Sequence, residues 1–261
     1  MFTNVKYKLF TFVNQKKAMD YLQLATQYLE PKLKGKYIHL DTILPILKSL
    51  NSDFEITEIG KSVQGRAIHQ VKIGVGTTKI LMWSQMHGNE STTTKGLFDF
   101  FNFLKSDNEI ANRIKSDYTL ICIPVLNPDG AFLYTRENAN EVDLNRDAFN
   151  ATQPEMQVLH SVCKSFQPDY CYNLHDQRTI FGTEGFNLPA TVSFLSPAYN
   201  EEREYNAVRL KAIHIINRMN DALQVYIPNQ IGRFDDSYNV NCTGDYFTTQ
   251  NTSTILFEAG H

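Results

Sequence analysis

The chain has 261 residues, a length that can bury a substantial core and that α/β proteins often use for a single domain. Its 25 basic and 28 acidic residues give a formal net charge of -3, with neither a basic stripe nor an acidic tail. This balance argues against nucleic acid or an anionic membrane as a partner. Four cysteines without a C-x-x-C pair predict free thiols, not a disulfide framework or a zinc ribbon.

The N-terminal stretch gives no indication of export. Lys6 and Lys8 break its apolar run, no small-residue cleavage site follows, and no apolar stretch of the chain approaches the length of a membrane span. We therefore expect a cytoplasmic location. No repeat or Gly/Ser linker divides the sequence, so we expect one domain over residues 1–261. Its residues 1–50 form an N-terminal helical segment to which the sequence gives no role.

Short apolar runs of strand length alternate with amphipathic helical segments along the chain. Helices are predicted over residues 15–29, over residues 41–50 with Asp41 as the N-cap, and over residues 92–104, 154–166 and 200–223. The apolar runs lie at residues 54–59, 67–73, 79–84, 118–126, 169–174, 191–195 and 252–259. This alternation predicts a three-layer α/β/α fold with a mixed, mostly parallel central sheet flanked by helices. In such sheets, ligands bind beyond the carboxyl ends of the strands.

An H-x-x-E motif, His87 to Glu90, follows directly on the predicted strand at residues 79–84. Such a motif is common by chance, but here it stands between a strand and a helix, where a ligand site is expected. Imidazole and carboxylate are ligands of catalytic zinc, which takes a third protein ligand from elsewhere. His175 follows the apolar run at residues 169–174 and is the candidate. A lone histidine there is more often a loop residue with ordinary hydrogen bonds, but its equivalent strand end favours the pairing.

A polar stretch at residues 141–149 has neither helical nor strand periodicity. By itself it is typical of a solvated loop with a surface ion pair. Arg146, however, offers a planar fork that matches a carboxylate, and Asn145 can add an amide donor. Asp143 nearby could orient a ligand histidine, and Arg136 is a further cation in the same region.

Two further strand ends carry polar residues. Glu258 closes the apolar run at residues 252–259, where a carboxylate is either turned to solvent or employed in a site. The sequence NPDG at residues 127–130 follows the strand at residues 118–126. Its Pro and Gly suit a type I turn, so we expect a turn that shapes the rim of a cleft without taking part in chemistry.

The segments HGNE, NPDG, DLNRD, NLHD and LFEAG, in this order and spacing, resemble the zinc metallocarboxypeptidases, the carboxypeptidase A-like peptidases, over about residues 55–261. The resemblance implies a peptidase with one zinc ion per chain that removes C-terminal residues. It makes His87, Glu90 and His175 the zinc ligands. It also makes Glu258 the general base and Arg136 the residue that polarises the scissile carbonyl.

The resemblance also implies residues that bind and orient. Asn145 and Arg146 match the pair that grips the terminal carboxylate of the substrate, and Asp143 matches the partner of the first zinc-binding histidine. Arg66 matches an arginine on the outer rim of the peptide cleft. Tyr238 matches a mobile tyrosine that caps the terminal residue. The implied partner is a peptide, or a peptide-like molecule, with a free C-terminal carboxylate; the oligomeric state is not predicted.

The sequence departs from the family pattern in three places. The segment between Tyr238 and Asp245 is shorter than usual, so the residue that selects the terminal side chain cannot be aligned. Asp176 follows His175 where many members have a small hydroxyl residue. The chain stops three residues after Glu258, where members normally continue into a helix, so we expect that helix to be absent from this domain.

Two alternatives remain open at this stage. A zinc amidohydrolase of small N-acyl amino acids or other non-protein amides would share the metal site but not the substrate. A non-catalytic peptide-binding relative is disfavoured, because Glu258 and Arg136 are both present. The preferred terminal residue also stays open: Asp235, Asp236 and Asp245 would favour a basic side chain, but loop aspartates are more often solvated or structural.

Overall fold

The computed structural model describes residues 20–177 and 181–260. Within these residues a single sheet has eight strands, numbered β1 to β8 in chain order: Glu55–Lys61, Ala67–Ile73, Thr78–Ser84, Tyr118–Ile123, Tyr170–Asp176, Val192–Leu195, Ile231–Arg233 and Ser253–Ala259. Their order across the sheet is β1-β2-β4-β3-β5-β8-β6-β7. Four neighbouring pairs are parallel (β3–β4, β3–β5, β5–β8, β6–β7) and three are antiparallel. The predicted mixed, mostly parallel sheet is confirmed.

The helices of the described residues, α1 to α8, are Tyr21–Gln27, Leu40–Leu50, Thr92–Lys105, Glu109–Asp117, Pro128–Leu133, Pro154–Phe166, Ala207–Leu223 and Thr243–Thr249. A single turn of 3-10 helix covers Leu144–Arg146. Within residues 20–177 and 181–260, no helix combines the length and the apolar character that crossing a membrane would need.

The core lies on both faces of the sheet, which makes the fold three-layered. Strand β3 shows this by alternation: Ile80 and Met82 pack with α2, α3 and α4, whereas Leu81 and Trp83 pack with α6 and α8. Helix α7 covers β6 and β8 on the same face as α3. All four β3 side chains are at most 8% exposed. A strand buried on both faces reads as the continuous apolar run KILMW, as expected for the interior of a parallel sheet.

The topology explains where a site must form. Strand β3 lies between β4 and β5, and the chain leaves β3 towards one neighbour and returns on the other side. The carboxyl ends of the parallel strands β3, β4, β5 and β8 therefore meet at one edge, at a topological switch point. The segments after β3, β4 and β5 all emerge there.

Four predicted boundaries differ from the structure. Helix α2 begins at Leu40 after the N-cap His39, so Asp41 lies in the first turn and is not the cap. Residues 127–130 are not a turn but the start of α5: Asn127 caps it by accepting the N–H of Gly130 at 2.8 Å. Helix α7 begins only at Ala207, after the cap Asn206. Of the predicted helix at 15–29, the part before residue 20 lies outside the described residues, and α1 ends at Gln27.

Residues 33–50, which have no counterpart in the recognised motifs, contribute to the main core. Leu33, Ile38, Ile43 and Leu47 are at most 7% exposed and belong to the same apolar cluster as side chains of β2, β3 and β4. Burial of four such side chains stabilises the fold by roughly 1.5–3 kcal/mol each before conformational entropy is subtracted. This segment therefore belongs to the helical layer that packs on β2, β3 and β4.

Candidate active site

The segment after β3 reverses direction within a few residues. Gln85 has φ 51°, a left-handed conformation that is uncommon for a side chain of this size. At Gly88 a Cβ atom would lie 1.9 Å from the carbonyl carbon of Gly130, so helix α5 packs directly on the loop and only glycine fits. The tight turn places the side chains of His87 and Glu90 on the same side.

Three side chains converge at the carboxyl edge of the sheet. Glu90 Oε1 lies 2.9 Å from His87 Nδ1, Glu90 Oε2 lies 2.9 Å from His175 Nδ1, and the two Nδ1 atoms are 3.1 Å apart. Each residue is 2% exposed. One ligand atom of each lies within 4.8 Å of the others. Since zinc bonds of about 2.0–2.1 Å in tetrahedral geometry separate ligand atoms by roughly 3.3 Å, this donor set and spacing fit a zinc ion.

Asp143 contacts the second ring nitrogen of His87. Its Oδ1 lies 3.0 Å from His87 Nε2, which directs Nδ1 towards the convergence point. The same oxygen accepts the backbone N–H of Asn145 at 2.8 Å. Although burial opposes ionisation, the hydrogen bond from His87 and the charges of His87 and Arg136 hold the pKa of Asp143 well below its usual range. This carboxylate therefore stays charged at neutral pH.

Glu90 is ionised for the same reasons. Burial opposes its charge, but hydrogen bonds from His175 and His87 hold its pKa well below the usual range. The backbone N–H of Asp176 adds a third donor, 3.2 Å from Glu90 Oε2. Metal ligands must be deprotonated to bind, and Glu90 meets this requirement over the whole physiological range.

A cavity of about 540 Å³ opens over these ligands. Of the residues predicted for catalysis or substrate binding, five line it: Arg136, Asn145, Arg146, Tyr238 and Glu258. His87 and Glu90 form part of the same wall. The structure thus brings most of the predicted site residues to one cavity at the edge of the sheet.

Arg136 is held by carboxylates on one side. Its Nε and a terminal nitrogen lie 3.1 Å from Asp143 Oδ2, and its other terminal nitrogen lies 3.3 Å from Glu90 Oε1. The side chain is 38% exposed and borders the cavity. These contacts orient a guanidinium beside the candidate metal centre.

Glu258 lines the same cavity from strand β8. In the sheet register it pairs with His175 on β5 and with Ser193 on β6, so its side chain shares a face with the ligand histidine. Burial raises the pKa of Glu258 to about 7, and the nearby carboxylates of Glu90 and Asp176 act in the same direction. A carboxylate with such a pKa can both accept and return a proton near neutral pH.

Arg146 has no ion-pair partner within residues 20–177 and 181–260. Its side chain is exposed, and one terminal nitrogen contacts Asn145 O at 2.8 Å and Cys242 Sγ at 3.1 Å. Asn145 Oδ1 accepts the N–H of Thr243 at 3.0 Å, which leaves the amide nitrogen as the free donor of that side chain. The pair therefore presents positive charge and an N–H group to the cavity.

Arg66 is the one predicted substrate-binding residue that does not line the cavity. Its guanidinium lies 2.6 Å from Asp129 Oδ1 and 4.5 Å from the ring centroid of Phe132. Asp129, assigned no role from the sequence, is fully buried and also accepts from Ser62 Oγ at 2.8 Å. Arg66 is thus fixed at the junction between β2 and α5.

Sequence reasoning missed residues that support the site. The Gln85 amide nitrogen donates to Ile38 O at 2.6 Å and to Gly88 O at 2.8 Å, and its oxygen accepts from Thr94 Oγ1 at 2.9 Å. Asp245, left open as solvated or structural, lines the cavity while only 5% exposed, and burial raises its pKa to about 6. Only the position of Gln85 directly after a strand could have indicated its importance.

The fold and the His-Glu-His cluster together define an α/β protein with a candidate catalytic metal centre. A family model of zinc carboxypeptidases, peptidase M14, matches residues 43–250. The chain belongs to this family. Zinc is the metal of the family, and His87, Glu90 and His175 are the residues that fit it here.

Individual relatives cover the chain in part. Carboxypeptidase M of Mus musculus is 31% identical over 174 residues, which is 55% of this chain and 39% of that protein. A metallo-carboxypeptidase from Burkholderia cenocepacia superposes with a TM-score of 0.70 at 16% identity, covering 84% of this chain and 59% of that one. The murein-tripeptide amidase MpaA from Escherichia coli O157 superposes with a TM-score of 0.51 at 16% identity, covering 78% and 82%. These structural similarities establish the fold.

Proposed function

We propose that this protein is a zinc-dependent carboxypeptidase that hydrolyses the last peptide bond of a substrate with a free C-terminal carboxylate. The observation that carries the proposal is Arg146, an arginine without an ion-pair partner among the described residues, in the same cavity as the metal ligands His87 and Glu90. A C-terminal carboxylate matches this guanidinium, and the interior of a peptide offers no such group. The cut is thereby restricted to the end of the chain.

The proposed chemistry combines the metal with residues of this chain. When bound by His87, Glu90 and His175, zinc supplies a Lewis acid that makes water more acidic and polarises a carbonyl. Glu258 takes a proton from the attacking water and returns it to the leaving amine. Its pKa near 7 suits both steps, since the carboxylate accepts the proton without retaining it.

Arg136 and Asn145 complete the assignment. Arg136 donates to the oxygen that gains charge in the transition state, a contribution of about 3–4 kcal/mol if it matches other oxyanion donors. Its contacts with Asp143 and Glu90 fix the guanidinium before the substrate arrives. Asn145 donates its amide N–H to the terminal carboxylate beside Arg146. Tyr238, half-buried at the cavity, closes over the terminal residue.

The test is a comparison of free-acid and C-terminally amidated peptides of one sequence. We expect amidation, or the change Arg146→Ala, to lower kcat/KM by at least about 30-fold, since a charge-assisted contact in a partly desolvated pocket contributes about 2–5 kcal/mol. Arg233→Ala removes an exposed guanidinium that does not line the cavity and serves as the matched control. Equal cleavage of the two peptides by the wild-type protein would refute the carboxypeptidase assignment.

The second candidate function is a zinc amidohydrolase of small N-acyl amino acids or other non-protein amides. The similarity in fold to a murein-tripeptide amidase supports keeping it. It predicts efficient hydrolysis of such amides together with poor hydrolysis of ordinary peptides, so a panel of both substrate types separates the two functions. A third candidate, a non-catalytic peptide-binding protein, predicts peptide binding without turnover, and the presence of Glu258 and Arg136 in the cavity argues against it.

A further inference from the structure

Asp176, the last residue of β5, contacts the metal ligand Glu90 and the first turn of α3. Its backbone N–H donates to Glu90 Oε2 at 3.2 Å. Its carboxylate accepts two backbone N–H groups, that of Thr92 at 2.7 Å through Oδ2 and that of Thr93 at 3.1 Å through Oδ1. The residue is 9% exposed and follows His175 directly. The Asp176 side chain thus connects β5, the strand that carries His175, to α3, the helix that follows Glu90.

These bonds replace a cap that helix α3 does not have locally. The N-cap residue Ser91 makes no side-chain capping bond; its hydroxyl instead donates to Lys36 O at 2.8 Å. The first N–H groups of a helix have no partner inside the helix and require one from outside. Asp176 is the acceptor for the N–H groups of Thr92 and Thr93, which lie 84 and 83 residues away in the sequence. Its negative charge lies at the positive end of the helix.

We infer that Asp176 is a positioning residue for the metal ligands. Helix α3 begins two residues after Glu90, so the first turn of α3 determines where the Glu90 backbone lies. Because Asp176 fixes this turn against β5, it also fixes Glu90 against His175. The inference rests on the metal site of the proposed function, and it gives a role to Asp176, which is neither a metal ligand nor one of the predicted substrate-binding residues.

The expected effect is on metal affinity. Groups that orient metal ligands typically change affinity by about 10–100-fold when removed. Asp176→Ala removes both acceptors while leaving the backbone N–H to Glu90. We therefore expect the zinc dissociation constant to rise by about 10–100-fold in this variant. Asp176→Asn keeps one acceptor oxygen and should recover part of the affinity.

The experiment separates positioning from general stability by a matched cap. Asn108→Ala removes the N-cap of α4, whose side chain accepts the N–H of Ile110 at 2.8 Å, and touches no ligand. Zinc affinity is measured by chelator competition, and unfolding of the metal-free proteins by denaturant. We expect Asn108→Ala to change zinc affinity less than about 2-fold even where its loss of stability equals that of Asp176→Ala.

Two results would overturn the inference. The first is a zinc affinity of Asp176→Ala within about 2-fold of that of the wild type. The second is an equal loss of zinc affinity in the Asp176 and Asn108 variants when the two are equally stable. If Asp176→Ala does not fold, Asp176→Asn decides the question by the same criterion. Metal affinity is measured without substrate. A wild-type protein that binds zinc but hydrolyses no peptide would therefore contradict the proposed function while leaving the comparison of Asp176 variants valid.

Discussion

The two walls of the cavity are built differently. On the ligand wall, residues 84–91 are all buried except Asn89. They accept a hydrogen bond from α3 and donate hydrogen bonds to the carbonyl oxygens of residues 36 and 38. On the substrate wall, none of residues 234–242 is buried. The ligand wall must hold metal ligands to within fractions of an ångström, whereas the substrate wall must admit a peptide end. The ligand wall is therefore rigid, whereas the substrate wall is accessible.

The same contrast sets apart two glutamates of one cavity. Glu90 accepts hydrogen bonds from His87, His175 and a backbone N–H, and its pKa lies well below the usual range. Glu258 accepts no hydrogen bond from the described residues, and burial raises its pKa to about 7. Two carboxyl groups thus have opposite environments, one suited to bind a cation and the other to transfer a proton.

The largest expected effect comes from removing the metal ligand His175. His175→Ala removes one of three ligands, so the protein should lose most of its zinc and kcat/KM should fall by at least about 10⁴-fold. Elemental analysis and peptide hydrolysis measure the two effects. His214→Ala, an exposed histidine on α7, is the control and should retain both. Full zinc occupancy in the His175 variant would show that the ligand assignment is wrong.

The next largest effect concerns Glu258. Glu258→Gln should keep zinc and substrate binding but lower kcat by about 10²–10⁴-fold, the range typical of a general base. Only the ionised carboxylate accepts a proton, and the ionised fraction rises with pH. The wild-type kcat/KM should therefore rise with pH to a plateau. Its midpoint should lie at or below about 7, because zinc, when bound nearby, lowers the pKa of Glu258.

The control for this prediction is Glu202→Gln, which neutralises an exposed glutamate outside the cavity and should leave the pH profile unchanged. The Glu258→Gln variant, in contrast, should lose the rise with pH that depends on the carboxylate. A Glu258→Gln enzyme with near-normal kcat would mean that the base lies elsewhere in the cavity.

Sequence patterns predicted the sheet and the position of the site because both depend on local periodicity and on strand ends. The run KILMW is typical of a strand buried on both faces. His87 follows β3, and His175 lies near the end of the neighbouring strand β5. Short elements such as α8 were missed, since seven residues give too little periodicity to recognise. The turn expected at residues 127–130 was wrong because Asn127 and Pro128 also suit the start of a helix.

The supporting residues could not be predicted, for a different physical reason. Gln85 donates a hydrogen bond to Ile38 O, 47 residues away in the sequence, and Asp176 accepts one from Thr92, 84 residues away. Apart from the position of Gln85 directly after a strand, neither residue carries a local signal for these contacts, because a hydrogen bond between distant segments depends on how the whole sheet brings them together. The roles of Asn145, Arg146 and Tyr238 stay predictions, although the structure places all three at the cavity.

The smallest expected effect tests the contrast between the walls directly, by truncating one polar side chain on each. Gln85→Ala leaves the buried carbonyls of Ile38 and Gly88 without their donor, which should cost about 2–4 kcal/mol of unfolding free energy. Ser237→Ala removes an exposed bond of 2.7 Å to Asp235 and should cost less than about 0.5 kcal/mol. Denaturant unfolding of the metal-free proteins measures both.

Zinc affinity then shows whether stability and function are coupled on the ligand wall. Gln85 keeps a left-handed backbone in place next to His87, so its loss should let the ligand loop relax and weaken zinc binding by about 10-fold. Ser237→Ala should leave zinc binding unchanged, because its segment contacts no ligand. Equal zinc affinities in the two variants would mean that the ligand loop holds its shape without Gln85. The rigidity of that wall would then come from the packing of Gly88 against α5.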